Sequence, residues 1–312
     1  MSAAFRHPQR GGTDRLLHRR LAELGTLVVA HRGTAVGSIA ENTRVAAMAA
    51  LVSGADVVEI DVSTSADGEF YAFHDGTEQR LLGIGANLTT LTARQIDELR
   101  YVHVDRPGRP AGVERLLDLL AALRPTELGV EDEAAPLVNV DRSWGSWATL
   151  LPALDGLGMT EQLLLKSPAA LPGPLDVLRR HEVKYPYLPI CTDLAQIEDL
   201  VEDDDLDVVG VELLADGPDH QLADPDLFVE LYARGLFVLV NAEVLTNGIP
   251  LFAGYDDEAA LLHGPGAGWG PLFDLGADLI QTDWPWLLRA YRGTRAARGT
   301  AGATAVDQEV RS

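Results

Sequence analysis

Apolar runs of strand length recur along the chain, separated by polar or amphipathic stretches. L-V-V-A-H (27–31), D-V-V-E-I-D-V (56–62), Q-L-L-L-K (162–166), V-V-G-V-E-L (208–213), L-F-V-L-V-N (236–241) and D-L-I-Q-T (278–282) are nearly continuous apolar segments. Parallel strands buried on both faces look like this. T-E-L-G-V-E (126–131) is read as a further strand. Y-P-Y-L-P-I (185–190) is a weaker one, because its two prolines lack the ladder N–H. Helical spacing fills the intervals at 41–53, 113–123, 143–157, 174–181, 194–202, 224–234, 268–275 and 284–292. Gly54 closes the first of these as a C-terminal glycine. E-F-Y-A-F-H (69–74) follows a D-G turn at Asp67–Gly68 and reads as the return arm of a hairpin.

Eight strands alternating with helices in one chain predict an α/β fold, a (β/α)8 TIM barrel. An open doubly wound sheet is the alternative, but no G-x-G-x-x-G follows the first strand. The length of 312 residues suits one barrel, since such barrels of about 250 residues fold as a single unit. The barrel is expected over 26–292, with 75–112 as a small insertion after the hairpin. Residues 1–25 read as an N-terminal arm with a helix over 13–24. Residues 293–312 read as a tail without structure.

Composition narrows the function. The net charge of −22 disfavours nucleic acid and anionic membrane surfaces as partners. An anionic substrate would need a local cation to offset that field. The single cysteine, Cys191, allows no intrachain disulfide. No apolar run reaches the roughly 20 residues of a membrane span, and the arginines at 6, 10, 15, 19 and 20 are not followed by an apolar signal core. A cytoplasmic enzyme acting on a small molecule is the expectation, with its oligomeric state left open.

In a barrel the chemistry sits at the C-terminal ends of the strands, and the polar residues collect there. Strand ends carry His31-Arg32-Gly33, His74-Asp75, Glu131, Lys166, Asn241 and Asp283, while Glu212 lies within a strand. Glu59 and Asp61, two apart on one strand, share a face. Two buried carboxylates so placed repel unless a cation intervenes. Oxygen ligands suit a hard ion such as Mg²⁺ or Ca²⁺. In a chain with 47 acidic residues an E-x-D is weak by itself, and half-solvated carboxylates at a strand edge are the plain alternative. Most of the eight histidines have no special context; His31 and His74 stand out because each ends an apolar strand.

A-H-R-G (30–33), E-N-T (41–43), G-A-D-V-V-E-I-D-V (54–62) and D-G-E-F-Y-A-F-H-D (67–75) together resemble the glycerophosphodiester phosphodiesterase family in order and spacing. L-G-V-E (128–131) and G-A-D-L-I-Q-T-D-W-P (276–285) add weaker pieces. The resemblance implies a (β/α)8 barrel with one divalent metal, Mg²⁺ or Ca²⁺ with Mn²⁺ also admitted. It implies Glu59, Asp61 and Glu131 as ligands and His31 and His74 as the catalytic pair. It also implies Arg32 at the phosphate and Glu41 beside the site. The implied substrate is a phosphodiester of lipid metabolism. A metal and an arginine would neutralise the phosphoryl oxygens while one imidazole accepts a proton and the other donates one. Which histidine does which, and whether water or a neighbouring hydroxyl attacks, stays open at this point.

The sequence departs from the family pattern at one place above all. A lysine usually follows the third carboxylate by two residues, but here the run is Glu131-Asp132-Glu133. Lys166 is the lysine placed to restore that charge, or it is a surface lysine after a strand. Glu133 would read a cationic or hydroxyl-rich head group, add a ligand to the metal, or pair with an arginine. Trp284 in T-D-W-P would pack over the site, or simply start a helix. The seventh strand and the insert 243–265 also differ, which suggests a remodelled pocket and admits sugar or polyol phosphodiesters. Two other functions compete: a lyase of sphingomyelinase D type that releases a cyclic phosphate, and a non-catalytic binding barrel.

Overall fold

Side-chain alternation along each strand decides what the barrel holds inside. The computed structural model of the chain describes residues 15–102, 111–245 and 248–309. The first 14 residues of the expected arm lie outside the described residues. Eight parallel strands form the wall: β1 (Leu27–Ala30), β2 (Val57–Thr64), β5 (Leu137–Asp141), β6 (Leu163–Pro168), β7 (Tyr187–Cys191), β8 (Gly210–Leu213), β9 (Phe237–Asn241) and β10 (Leu279–Thr282). They pair in chain order, and β1 pairs with both β2 and β10, which closes the barrel. The hairpin arm β3 (Phe70–Ala72) runs antiparallel to β2, and the two-residue strand β4 (Glu114–Arg115) is antiparallel to β3.

Within the wall, Val28, Val58, Ile60, Val138, Val140, Leu163, Leu165, Val238, Val240 and Ile280 pack outward with the helices. The alternate positions Leu27, Val29, Val57, Leu137, Leu164, Leu188, Phe237, Leu239 and Leu279 fill the barrel's lower interior. Leu16, Leu17 and Leu21 of helix Leu16–Leu24 join that cluster, so the helix plugs the N-terminal end. Two residues further along the inward faces come the polar side chains: Glu59 and Asp61, Asn139 and Asp141, Lys166, Asn241 and Gln281. The core is therefore apolar below and polar at the mouth.

Two expectations are corrected. Residues 126–131 do not form a strand: Pro125–Leu128 is a helical turn with Pro125 at its start, and Gly129, at φ 68°, ends it. The third barrel strand is the buried run L-V-N-V-D at Leu137–Asp141, whose central Asn and terminal Asp mask its strand character. The expected tail over 293–312 is helical as far as Glu309, in helix Pro285–Glu309, and residues 310–312 lie outside the described residues. Its alanine content supports a helix in spite of its glycines.

The insertion after β3 builds a satellite core of its own. Tyr71, Phe73, Leu81, Leu82, Leu88, Ile96 and Tyr101 bury one another there. Among the described residues no helix is long and apolar enough to cross a membrane. Leu17, 2% exposed in the plug, should cost about 2–5 kcal/mol when changed to alanine, read as a shift in urea midpoint. Val52→Ala, at a position 84% exposed, should stay within about 0.5 kcal/mol.

Candidate active site

The turn after β1 is unusually constrained. Arg32 has φ 53° and Gly33 φ 76°. A Cβ on Gly33 would lie 2.7 Å from the Ala46 backbone, so glycine lets the turn rest against helix Arg44–Ser53. This turn aims the Arg32 N–H at Glu59 Oε2, 2.6 Å away. The Arg32 guanidinium donates to Glu41 Oε1 at 2.6 Å and lies 3.1 Å from Asp61 Oδ2. Arg80 donates to both oxygens of Glu41 at 2.8 and 3.0 Å. Burial alone would raise the Glu41 pKa, but Arg80 and Arg32 hold it below the ordinary carboxylate value.

The rest of E-N-T is equally engaged. Asn42, at φ 55°, donates to Asp61 Oδ2 and accepts the Asp61 N–H, both at 2.9 Å. Thr43 caps the following helix by accepting from the Ala46 N–H. The motif thus fixes Asp61 from two directions while it starts a helix.

Glu59, Asp61 and Asp141 can each offer an oxygen within 4.8 Å of the others. Glu59 Oε1 is buried and has no hydrogen-bond partner among the described residues. Burial and the nearness of Asp61 push the Glu59 carboxyl well above its ordinary pKa. An orphaned oxygen in a cluster of carboxylates fits a hard divalent cation, which would reverse that penalty. Glu131 and Glu133 do not join this cluster. Both are exposed on the turn that precedes β5, at the opposite end of the strand from Asp141. The sequence reading missed Asp141 because the third strand was placed one segment early. Two residues past Asp141 stands Ser143, so the position still lacks a lysine in the corrected frame.

Lys166 occupies that neighbourhood from β6. Its Nζ lies 2.9 Å from Asp141 Oδ2 and 2.9 Å from Glu212 Oε2, and the residue is 1% exposed. Burial opposes its charge, but Asp141 and Glu212 outweigh that and raise its pKa well above the ordinary value. Lys166 is therefore not a surface lysine. Asn241 completes the chain by donating to Glu212 Oε1 at 2.7 Å.

The two histidines differ in their partners. His31 Nδ1 is 2.8 Å from Asp283 Oδ1. Burial would lower the His31 pKa, but Glu243 and Asp283 overcome it and raise the value to about 10. His74 Nδ1 donates to the Asp75 carbonyl oxygen at 2.7 Å, which leaves Nε2 for other partners. Arg142, at φ 52° just past β5, donates to Asp75 Oδ1 from Nε at 3.0 Å and Nη2 at 2.7 Å. This ties the hairpin's end to the third barrel strand. Asp283 is steadied in turn by Asp257, which accepts its backbone N–H at 2.9 Å. Asp257 also accepts from Thr282 Oγ1 and Trp269 Nε1, each at 2.7 Å. Trp284 is half-buried; it packs on the outer core and stands edge-on to Trp286 at 5.5 Å between ring centroids.

Lys166→Met should destabilise the fold by about 3–5 kcal/mol in urea unfolding, because it strands buried carboxylates. Glu131→Gln should change stability by less than about 0.5 kcal/mol.

This arrangement can neutralise an anion at a carboxylate-held cation while one imidazole gives a proton and the other takes one. The model of the glycerophosphoryl diester phosphodiesterase family matches residues 31–240. No curated protein matches the sequence. A glycerophosphodiester phosphodiesterase from Parabacteroides distasonis is 16% identical, with 87% of this chain and 98% of that one covered and a TM-score of 0.61. One from Thermotoga maritima is 20% identical, with 85% and 98% covered and a TM-score of 0.57. A phosphodiesterase from Oleispira antarctica, solved with the product sn-glycerol-3-phosphate, is 18% identical, with 85% and 95% covered and a TM-score of 0.59. With its family match running from the turn after β1 to β9, the chain belongs to the glycerophosphoryl diester phosphodiesterase family and is a phosphoric diester hydrolase.

Proposed function

We propose that the chain cleaves glycerophosphodiester-like and sugar or polyol phosphodiesters to an alcohol and a phosphomonoester. In this reading Glu59, Asp61 and Asp141 hold one divalent ion, Mg²⁺ or Ca²⁺ with Mn²⁺ admitted, and His31 and His74 move the protons. The observation that carries it is the buried, orphaned Glu59 oxygen among three carboxylates, with His31 and His74 just past β1 and β3, the strands that flank β2. The product bound to the Oleispira antarctica enzyme, sn-glycerol-3-phosphate, is the kind of monoester this reaction would release.

A divalent ion bound there supplies Lewis-acid neutralisation of the phosphoryl oxygens. The Arg32 guanidinium, held by Glu41 and Asp61, presents a fixed positive charge to the same oxygens. Lys166 takes the role of the lysine that the position after Asp141 lacks. His31, flanked by Glu243 and Asp283, keeps both ring protons and serves as the acid at the leaving oxygen. His74, with Nδ1–H spent on a carbonyl, offers Nε2 as the base that takes a proton from the attacking water.

Removal of divalent ions with a chelator should abolish turnover of glycerophosphodiesters, and Mg²⁺, Ca²⁺ or Mn²⁺ should restore it. Phosphorus NMR of the products decides the reaction: a free monoester supports hydrolysis, and a stable cyclic phosphate would overturn it. In a calorimetric titration with Mn²⁺, Asp141→Asn should lose binding, whereas Glu131→Gln should bind like the parent. His31→Ala or His74→Ala should lower kcat by about 10²–10⁴-fold. A Lys166→Ala enzyme with full activity would remove the lysine's assigned role.

The pH profile tests the acid. His31 must be protonated, and its pKa is raised from the ordinary 6.5 to about 10. Activity is thus retained through neutral pH and falls only as pH climbs toward that value. Asp283→Asn removes one raising partner, so the alkaline limb of kcat/KM should move to lower pH.

A further inference from the structure

Above the apolar plug lie polar side chains whose remaining acceptor atoms the chemistry described so far does not use. Glu243, 4% exposed, follows β9 by two residues. Its Oε1 accepts from Gln281 Nε2 at 2.8 Å, while its Oε2 is buried without a hydrogen-bond partner among the described residues. Gln281 pairs in register with Asn241 on β9. Its Oε1 accepts from Asn139 Nδ2 at 3.5 Å across the barrel. Asn139 Oδ1 and Asn241 Oδ1 are likewise buried and unpartnered, since their amide nitrogens are committed to Gln281 and Glu212.

A buried acceptor left without a donor costs about 1–3 kcal/mol. Here a carboxylate oxygen and two amide oxygens, on β5, on β9 and just past β9, incur that cost in one layer. Such a set is complementary to a ligand rich in hydrogen-bond donors. Glu243 also lies close enough to His31 for its charge to raise the histidine's pKa. His31 stands at the leaving oxygen in the function proposed above, and this inference rests on that reading. The group next to Glu243 is then the departing alcohol.

We propose that Glu243, with Asn241 and Asn139, forms a subsite that binds the hydroxyl groups of a polyol leaving alcohol. Two of the three unpartnered atoms are neutral amide oxygens, which accept from hydroxyls and carry no net charge to attract an ammonium group. A trimethylammonium head group carries no N–H or O–H and would leave all three acceptors unsatisfied. The subsite lies on the strand whose sequence departs from the family pattern, and Glu243 takes the head-group role that the sequence suggested for Glu133.

The test separates this inference from the reaction itself. Binding is measured by calorimetry on the His74→Ala protein with Mg²⁺, using intact glycerophosphoglycerol, glycerophosphoethanolamine and glycerophosphocholine. The glycerol-headed diester should bind at least about tenfold more tightly than the choline-headed one, consistent with one hydrogen bond to a charged group. Adding Glu243→Gln should reduce that ratio about tenfold, with Kd for glycerophosphocholine changing little. Asn241→Ala should shift the ratio in the same direction, and it serves as the probe if Glu243→Gln does not fold. Equal affinity for the three diesters, tighter binding of the choline diester, or a ratio unmoved in both variants would overturn the subsite. Preference for the ethanolamine diester would overturn the assignment to hydroxyls. Turnover of bis(p-nitrophenyl) phosphate by the parent enzyme reports on the diesterase reading alone, so failure of the one is distinguishable from failure of the other.

Discussion

Three carboxylates within reach of one another in the wall of a barrel repel, and much of the surrounding structure answers that repulsion. Arg32 meets Asp61 with its side chain and Glu59 with its backbone N–H. Lys166 meets Asp141. Asn42 supplies two neutral hydrogen bonds to Asp61. One oxygen of Glu59 is left over, and that remainder defines the character of the site. A pair of buried apolar residues would be cheaper at these positions. Their retention as acids makes sense when a cation is part of the working protein.

The barrel places this cluster by simple alternation. Each strand contributes apolar side chains to the lower interior and polar ones to the mouth, all on the same face. Helix Leu16–Leu24 excludes water from the bottom with three leucines. The polar layer can then sit on a dry foundation, where charge interactions are stronger than in water. The cap built from the segment after β3 shares Tyr71 and Phe73 with the strand and loop that lead to His74. Its small core therefore bears directly on where that histidine lies.

Much of this was legible in the sequence, and the failures have physical reasons. β1, β2, β6 and β8 to β10 were visible because continuous apolar runs are how doubly covered strands are written, and β7 showed more weakly because of its prolines. Glu59 and Asp61 could be paired from a two-residue spacing alone. Asp141 could not be found in the same way, since L-V-N-V-D ends in a charge and carries a buried Asn. T-E-L-G-V-E offered a false match one segment earlier, but it ends in exposed Val130 and Glu131. The error then propagated to Glu133. The shared want of a donor at Asn139, Asn241 and Glu243 was beyond sequence reasoning for another reason, although Asn241 was visible as a strand end: an unsatisfied acceptor is a property of three-dimensional neighbours. Lys166 shows the opposite case. A strand-end lysine has an ordinary surface explanation, and only burial between Asp141 and Glu212 excludes it.

Asp257 has a consequence of an evolutionary kind. It lies within the insert after β9, yet it grips Thr282, the Asp283 backbone and Trp269. The insert is thus anchored at the residue that steadies the partner of His31. Substitutions at the exposed positions between Glu243 and that anchor leave the three Asp257 bonds in place, so the rim of the barrel can vary in chemistry while the joint that positions Asp283 keeps its shape.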